Sequence, residues 1–294
     1  MFTKESKIGF IGAGMVGQTL ALSLFAHGYN VCSIASRTYA SAESLSNSIP
    51  GCNAFESFSE AANSVDFVFI TTTDDSIQEV VNQISWRANQ GVVHCSGSGS
   101  VDVFSQVIKQ GVQVGTFHPL QAFTTLENSL KNLSGSTYAI EGTGEIKEFL
   151  AELAICLGGH PIFLNSQDKP LYHASVVMMG GLFQSFAGAV GEIWEKFGID
   201  KNQALKSLVP ITKGVCDSLE SVGVPDGLAG PYVRGDVGTI EKHIDAVRSF
   251  APHMLDSYCH IALVGLEMCS QKGKVTLQKK EAIKSLLTNA ITRQ

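Results

Sequence analysis

The apolar run Lys7-Ile8-Gly9-Phe10-Ile11 passes directly into Gly12-Ala13-Gly14-Met15-Val16-Gly17, and the residues from Met15 to His27 follow a helical period. A short apolar run that ends on glycine reads as a buried parallel strand. G-x-G-x-x-G that follows a strand and opens a helix is the dinucleotide-binding turn. Gly12 permits the tight turn, Gly14 lets the backbone approach a pyrophosphate, and Gly17 lets helix and strand pack closely. Ala13, Met15 and Val16 complete the turn. The helix N-terminus offers unpaired N–H groups and a partial positive charge to the phosphates. The plain alternative is a purely structural glycine turn, which the strand–turn–helix setting disfavours.

The second strand, Asn30 to Ala35, distinguishes the cofactors. An NAD site usually has Asp or Glu at the end of that strand, bonded to the ribose 2′-OH. Here the strand runs into Ser36-Arg37-Thr38, with no acid. Arg37 can pair with a 2′-phosphate, and the two hydroxyls can add donors. The expected cofactor is therefore NADP(H), although an exposed arginine opening a helix would look the same.

Further on, strand-like and helix-like segments alternate. DFVFITT (66–72), GVVHCS (91–96), VQVGTFH (112–118), STYAIEG (136–142) and HPIFL (160–164) read as strands with helical stretches between them. That alternation implies right-handed βαβ units and a mostly parallel, doubly wound sheet of the Rossmann type. After Asn165 the alternation stops. Helical segments follow at roughly 170–197, 201–221, 237–249, 253–271 and 276–291. We expect a Rossmann dinucleotide-binding domain over 1–165 and an all-α substrate and dimerisation domain over 166–294. Asp200 and Gln203 supply a helix start just after Gly198 closes the helix before.

In an open parallel sheet, ligands lie beyond the carboxyl ends of the strands. Three loops qualify. Thr72, Thr73 and Asp74 are expected at the cofactor, with Asp74 and Asp75 equally able to start a helix. Ser96, Gly97 and Ser98 follow the next strand. His118 ends the one after, where it either meets substrate or bonds the backbone.

The remaining signal is Gln167-Asp168-Lys169-Pro170-Leu171-Tyr172-His173. Residues i and i+4 share a helix face, so Lys169 and His173 can serve one site. Pro170 suits a first helical turn, with Asp168 as the expected cap. Burial and the helix dipole would both lower the lysine pKa, which suits proton transfer near neutral pH. A snorkelling lysine and a hydrogen-bonded histidine are the ordinary alternative.

In order, GAGMVG, SRT, TTTDD, HCSGS, FHPLQAF and GPYVRGD resemble one family of predicted oxidoreductases. Its members have a Rossmann domain and an uncharacterised helical C-terminal domain. The family is similar to the β-hydroxyacid dehydrogenases, ketopantoate reductases and 6-phosphogluconate dehydrogenases. The resemblance spans nearly the whole chain. It implies a general acid/base lysine at Lys169, with His173 where the wider set has asparagine, and a Ser-Gly loop at 96–98 that holds a substrate carboxylate. It also implies an NADP-dependent reductase of a small 2-oxo acid, ketopantoate first. Arg234 would pair either with an anionic substrate or with an acid of its own chain, and Asp236 would start a helix. A prephenate dehydrogenase-like or pyrroline-carboxylate reductase-like enzyme is the second reading, and a non-catalytic NADP-binding protein the third.

Composition narrows the partners. The net charge is −6 and no basic run exceeds two residues, which disfavours nucleic acid. Seven scattered cysteines without a C-x-x-C pair suggest neither disulfides nor a metal site, and fit a reducing cytoplasm. No apolar leader follows Lys4 and Lys7. Ser175–Ile193 is long enough to span a bilayer. It also holds Gln184, Ser185, Glu192 and four glycines, so we read it as a buried helix rather than a membrane span. Those glycines, 180, 181, 188 and 191, permit close helix approach and point to a homodimer through the helical domain.

Overall fold

The structure is a computed structural model and describes residues 2–273 and 275–292. It divides into two compact units, Met1–Gly180 and Gly181–Gln294.

The first unit is an eight-stranded sheet. The strands are β1 (Ile8–Ile11), β2 (Val31–Ala35), β3 (Asn53–Phe55), β4 (Phe67–Ile70), β5 (Gly91–His94), β6 (Gln113–Pro119), β7 (Thr137–Gly142) and β8 (His160–Phe163). Their spatial order is β3-β2-β1-β4-β5-β6-β7-β8. All neighbouring pairs are parallel except β6 and β7, which run antiparallel with Thr116 opposite Glu141. The helices of this unit are α1 (Met15–Ala26), α2 (Tyr39–Ser46), α3 (Phe58–Asn63), α4 (Asp74–Gln83), α5 (Ser105–Ile108), α6 (Leu126–Lys131), α7 (Gly144–Cys156) and α8 (Lys169–Val177).

Side chains alternate across each strand, and that alternation builds two cores. On β4, Phe67 and Phe69 join a cluster with Leu20 and Leu24 of α1 and Phe149 and Leu153 of α7. Val68 and Ile70 point the other way, into a cluster with Ile77 and Val81 of α4. All four β4 side chains are fully buried. Phe10 stacks on Phe69 with ring centroids 4.8 Å apart.

The strand pattern ends at 163, but the compact unit continues to Gly180 because the first turns of the next helix pack on the sheet. Asp168 does not cap α8. Its carboxylate accepts from the N–H and Nδ2 of Asn165, so the helical path starts one turn earlier, at Ser166. The path stays helical to Phe197 but loosens into a π-helical turn over Met178–Leu182, which contains Gly180 and Gly181. In a π turn one extra residue enters the helical ladder. The boundary between the two units falls there.

The second unit holds α9 (Phe183–Ile193), α10 (Lys201–Ser221), α11 (Pro231–Arg234), α12 (Val237–Phe250), α13 (Leu255–Gln271) and α14 (Leu277–Thr292). Its core joins Ile240 and Ile244 of α12, Leu255 and Leu266 of α13, and Ile283 and Leu287 of α14. Asp200 caps α10 through the N–H groups of Asn202 and Gln203, and Asp236 caps α12 through Thr239. Arg234 ends the four-residue α11.

One expectation is corrected. The apolar helix is not buried within its own chain. Only 6% of the most apolar window of Ser166–Phe197 is covered, although the segment is long and apolar enough to cross a membrane by length and composition. In α9 and α10 together only Gly191 and Ala204 are buried. The apolar side chains of this pair face outward, while the unit's core is made by other helices. Gly191 does serve close approach, since a Cβ there would lie 3.2 Å from Leu205 of α10.

Candidate functional site

The first turn has the shape its glycines predict. Gly12 has a φ of +114°, and a Cβ there would lie 2.6 Å from the Thr71 carbonyl. At Gly17 a Cβ would meet the Gly12 oxygen at 2.2 Å. Gly14 is different: nothing lies within 4 Å of its Cβ position. Two glycines are therefore demanded by packing, and the third leaves an open approach to the backbone. Thr71 locks the turn by donating its hydroxyl to the Gly12 carbonyl at 2.7 Å. No acid stands in the first turn of α1, and no side chain caps its N-terminus. Those N–H groups are left for an anion. At the end of β2, Ser36 is partly exposed, and Arg37 and Thr38 are exposed. Arg37 makes no ion pair among the described residues. This arrangement fits a dinucleotide with a 2′-phosphate.

The sheet order puts the ends of β4, β5 and β6 next in line. Thr73 precedes α4 and shares a hydrogen bond with Ser76 at 2.9 Å; Thr72 is partly exposed beside it. Asp74 opens α4 and accepts the Ser96 hydroxyl at 2.6 Å. Ser96 in turn accepts the Gly99 N–H at 2.9 Å. Ser96 therefore shapes the loop, and its hydroxyl is engaged with protein on both sides. Ser98 is exposed and has no partner among the described residues. His94 bonds the Ser100 carbonyl through Nε2 and the Ser96 N–H through Nδ1. Burial pushes its pKa down to about 4, so it is a neutral strut of the loop.

Lys169 is the one lysine buried among the described residues, at 1% exposure. Its Nζ donates to the Thr116 hydroxyl on β6 at 2.7 Å. Burial lowers its pKa to about 8, and the carboxylates of Glu141 and Asp74 oppose that shift. One turn on, Tyr172 and His173 face β6. The Tyr172 hydroxyl and His118 Nδ1 are 2.9 Å apart. The His118 and His173 rings stand edge to face at 5.7 Å. Burial, then the neighbouring His173 and Lys169, hold His118 down at about 4. Burial raises the Tyr172 phenol to about 12. Gly97 closes the cluster: a Cβ there would lie 2.3 Å from His173 Cδ2 and 2.9 Å from His118 Nε2. Glycine at 97 is therefore set by two imidazoles.

Lys169, His173, His118 and the 96–98 loop thus come together at the carboxyl ends of β5 and β6. Arg234 belongs to the other compact unit. Thr116, Glu141 and Tyr172 are part of the cluster as well; Tyr172 lies within the Gln167–His173 stretch, but Thr116 and Glu141 belong to no motif. Only the spacing of Thr116 two residues before His118, on one face of a strand, could have hinted at the first of them.

Comparison with known proteins agrees with the fold. Residues 7–97 match the family described as NADP oxidoreductase coenzyme F420-dependent, and residues 136–264 match a domain of unknown function, DUF2520. No protein of curated function matches. The fold is similar to that of protein TM1727 from Thermotoga maritima, with a TM-score of 0.73 at 22% identity over 90% of this chain and 99% of that one. A reductive aminase from Aspergillus terreus, solved with NADPH4, cyclohexanone and allyl amine, has a TM-score of 0.58 at 14% identity over 98% and 94%. A pyrroline-5-carboxylate reductase from Coxiella burnetii has a TM-score of 0.57 at 15% identity over 97% of each chain. The N-terminal match makes the cofactor NADP, in line with Arg37 and the missing acid.

Proposed function

We propose that this chain, an NADP-dependent oxidoreductase with a Rossmann domain and a helical domain of unknown function, reduces the carbonyl of a small 2-oxo acid, with ketopantoate first. The observation that carries the reading is the buried Lys169, bonded to Thr116 beside two histidines at the strand ends next to the glycine turn. When bound, NADPH supplies a hydride to the carbonyl carbon.

The chain's own residues then handle charge and protons. The carbonyl oxygen gains negative charge as the hydride arrives, and a nearby ammonium stabilises it. Lys169, with its pKa near 8, is mostly protonated at neutral pH and gives up its proton readily. The Thr116 hydroxyl fixes Nζ in place. His118 is neutral at pH 7. A Tyr172 phenol that donates to Nδ1 leaves Nε2–H as an uncharged donor beside Gly97. Ser98, with its free hydroxyl, is left to hold the carboxylate, and Ser96 holds Ser98's loop against Asp74. His173 packs against Gly97 and His118 and stands where the wider set has asparagine.

The similarity to an aminase and a pyrroline-carboxylate reductase favours a second reading, in which the acceptor is an imine. One experiment decides: stopped-flow NADPH oxidation against pooled 2-oxo acids and, separately, cyclic imines. Turnover with a 2-oxo acid supports the first reading, and turnover with imines alone replaces it. No oxidation with either class overturns both.

We further propose that a second copy of the chain covers the apolar faces of α9 and α10. Ile211 is 67% exposed and Val215 54%, and Phe183, Val209 and Leu219 of the same two helices are exposed as well; apolar faces of this kind mark interaction sites.

A further inference from the structure

Glu141 is a buried acid on β7, 7% exposed, and the reading above gives it no task. Its two oxygens are held from two directions. Oε2 accepts the Val101 N–H at 3.1 Å, from the segment that follows the 96–100 loop. Oε1 accepts a short hydrogen bond from Ser166, in the turn that leads into Lys169. In the antiparallel pairing of β6 and β7, Glu141 stands directly opposite Thr116, the residue that receives Lys169 Nζ. One carboxylate thus ties together the strand that seats the ammonium, the turn that delivers it and the loop beside it. Glu141 also lines a cavity of about 530 Å³, together with Val101, Val114, Ile146, Lys147 and Phe163.

We infer that Glu141 is a positioning residue for Lys169, fixing both the place and the charge of its ammonium from the β7 side of β6. The inference rests on Lys169 being the proton donor. An ammonium at 1% exposure with one hydroxyl partner is poorly solvated and tends to lose its proton. A carboxylate one strand away opposes that tendency. Other titratable groups face Lys169: Asp74 from α4, Cys95 after β5, and His94 and His118 from β5 and β6. Asp74 is exposed and bonded to Ser96. The Cys95 thiol is pushed far up by burial and is uncharged at neutral pH, as are both histidines. Glu141 is therefore the buried anion among them.

The sign follows. Removing the anion lowers the lysine pKa further, so the alkaline limb of the reduction rate moves to lower pH. Glu141→Gln keeps the shape and both hydrogen bonds, with Ser166 now accepting from the amide. It is expected to move the limb down by about one unit or more. Glu141→Asp, which keeps the charge, holds the limb nearer its original place. Ser166→Ala loosens the turn without removing charge, and lowers kcat without moving the limb.

The same shift is read without turnover from the ¹³Cε resonance of Lys169 in apo protein titrated by NMR, assigned by its loss in Lys169→Met. Circular dichroism confirms that each variant folds. A Glu141→Gln limb and resonance that titrate as in the parent overturn this inference while leaving Lys169 as the donor. Full activity in Lys169→Met overturns the donor itself.

Discussion

The sheet and the α9–α10 pair are both rich in apolar side chains, but only the sheet buries its own. Phe67, Val68, Phe69 and Ile70 are wholly enclosed, whereas Ile211 and Val215 are more than half exposed. The contrast separates two jobs. A parallel sheet with helices on both faces closes its core within one chain, so it can hold Lys169 and its neighbours rigidly. A helix pair with apolar side chains outward is incomplete alone, and its stability depends on what covers it.

Matched truncations sharpen that contrast, and here the largest effect is expected. Phe69→Ala should cost about 3–5 kcal/mol in a denaturant melt, because the cavity cannot collapse between stacked rings. Ile211→Ala should change the melt of dilute protein by no more than about 0.5 kcal/mol. Ile211→Glu should instead shift the light-scattering mass from about twice 31.4 kDa to 31.4 kDa. A monomeric mass in the parent protein removes the second-copy proposal.

The next effect concerns Lys169, a charge that the sheet unit buries without an ion pair among the described residues. The folded pKa of Lys169 is lowered to about 8 from 10.5, so between those values the unfolded chain binds more protons and stability rises with pH. Below pH 8 the penalty is complete. Lys169→Met should then be more stable than the parent, by up to about 3 kcal/mol at pH 7, less the loss of the Thr116 hydrogen bond. The gain should fade between pH 8 and 10.5. A difference that does not vary with pH would show that burial does not depress this lysine.

A smaller effect is expected at Gly97, where a methyl group must displace the His173 ring. Gly97→Ala should cost about 1–3 kcal/mol of stability and reduce turnover together with it. The smallest is Arg37→Ser, expected to weaken NADPH binding by about tenfold while leaving NADH nearly unchanged. Equal losses for both cofactors would place Arg37 away from the 2′-phosphate.

Much of the sheet unit was legible in the sequence because its signals are local. Apolar strand runs, the glycine turn and the missing acid after β2 need only neighbouring residues. Lys169 was legible for the same reason, as a lysine in the first turns of an apolar helix. Its partners were not. Lys169 reaches Thr116 from 53 residues along the chain, and Thr116 stands opposite Glu141 only because β6 and β7 pair antiparallel in one register. Nothing in either segment states that register. Ser96 has the place of a carboxylate holder, yet Asp74, from another loop, already occupies its hydroxyl. The helix from Ser166 to Phe197 misled differently: apolarity says that a face will be covered, not that the same chain will cover it.

The most direct test of the central claim is single-turnover hydride transfer from NADPH to ketopantoate, measured across pH in the parent and in Lys169→Met. The parent rate should fall above about pH 8 as Lys169 loses its proton. Lys169→Met should lose about two to four orders of magnitude at pH 7, with no alkaline limb and with NADPH affinity intact. An unchanged rate and the same limb in Lys169→Met would contradict it.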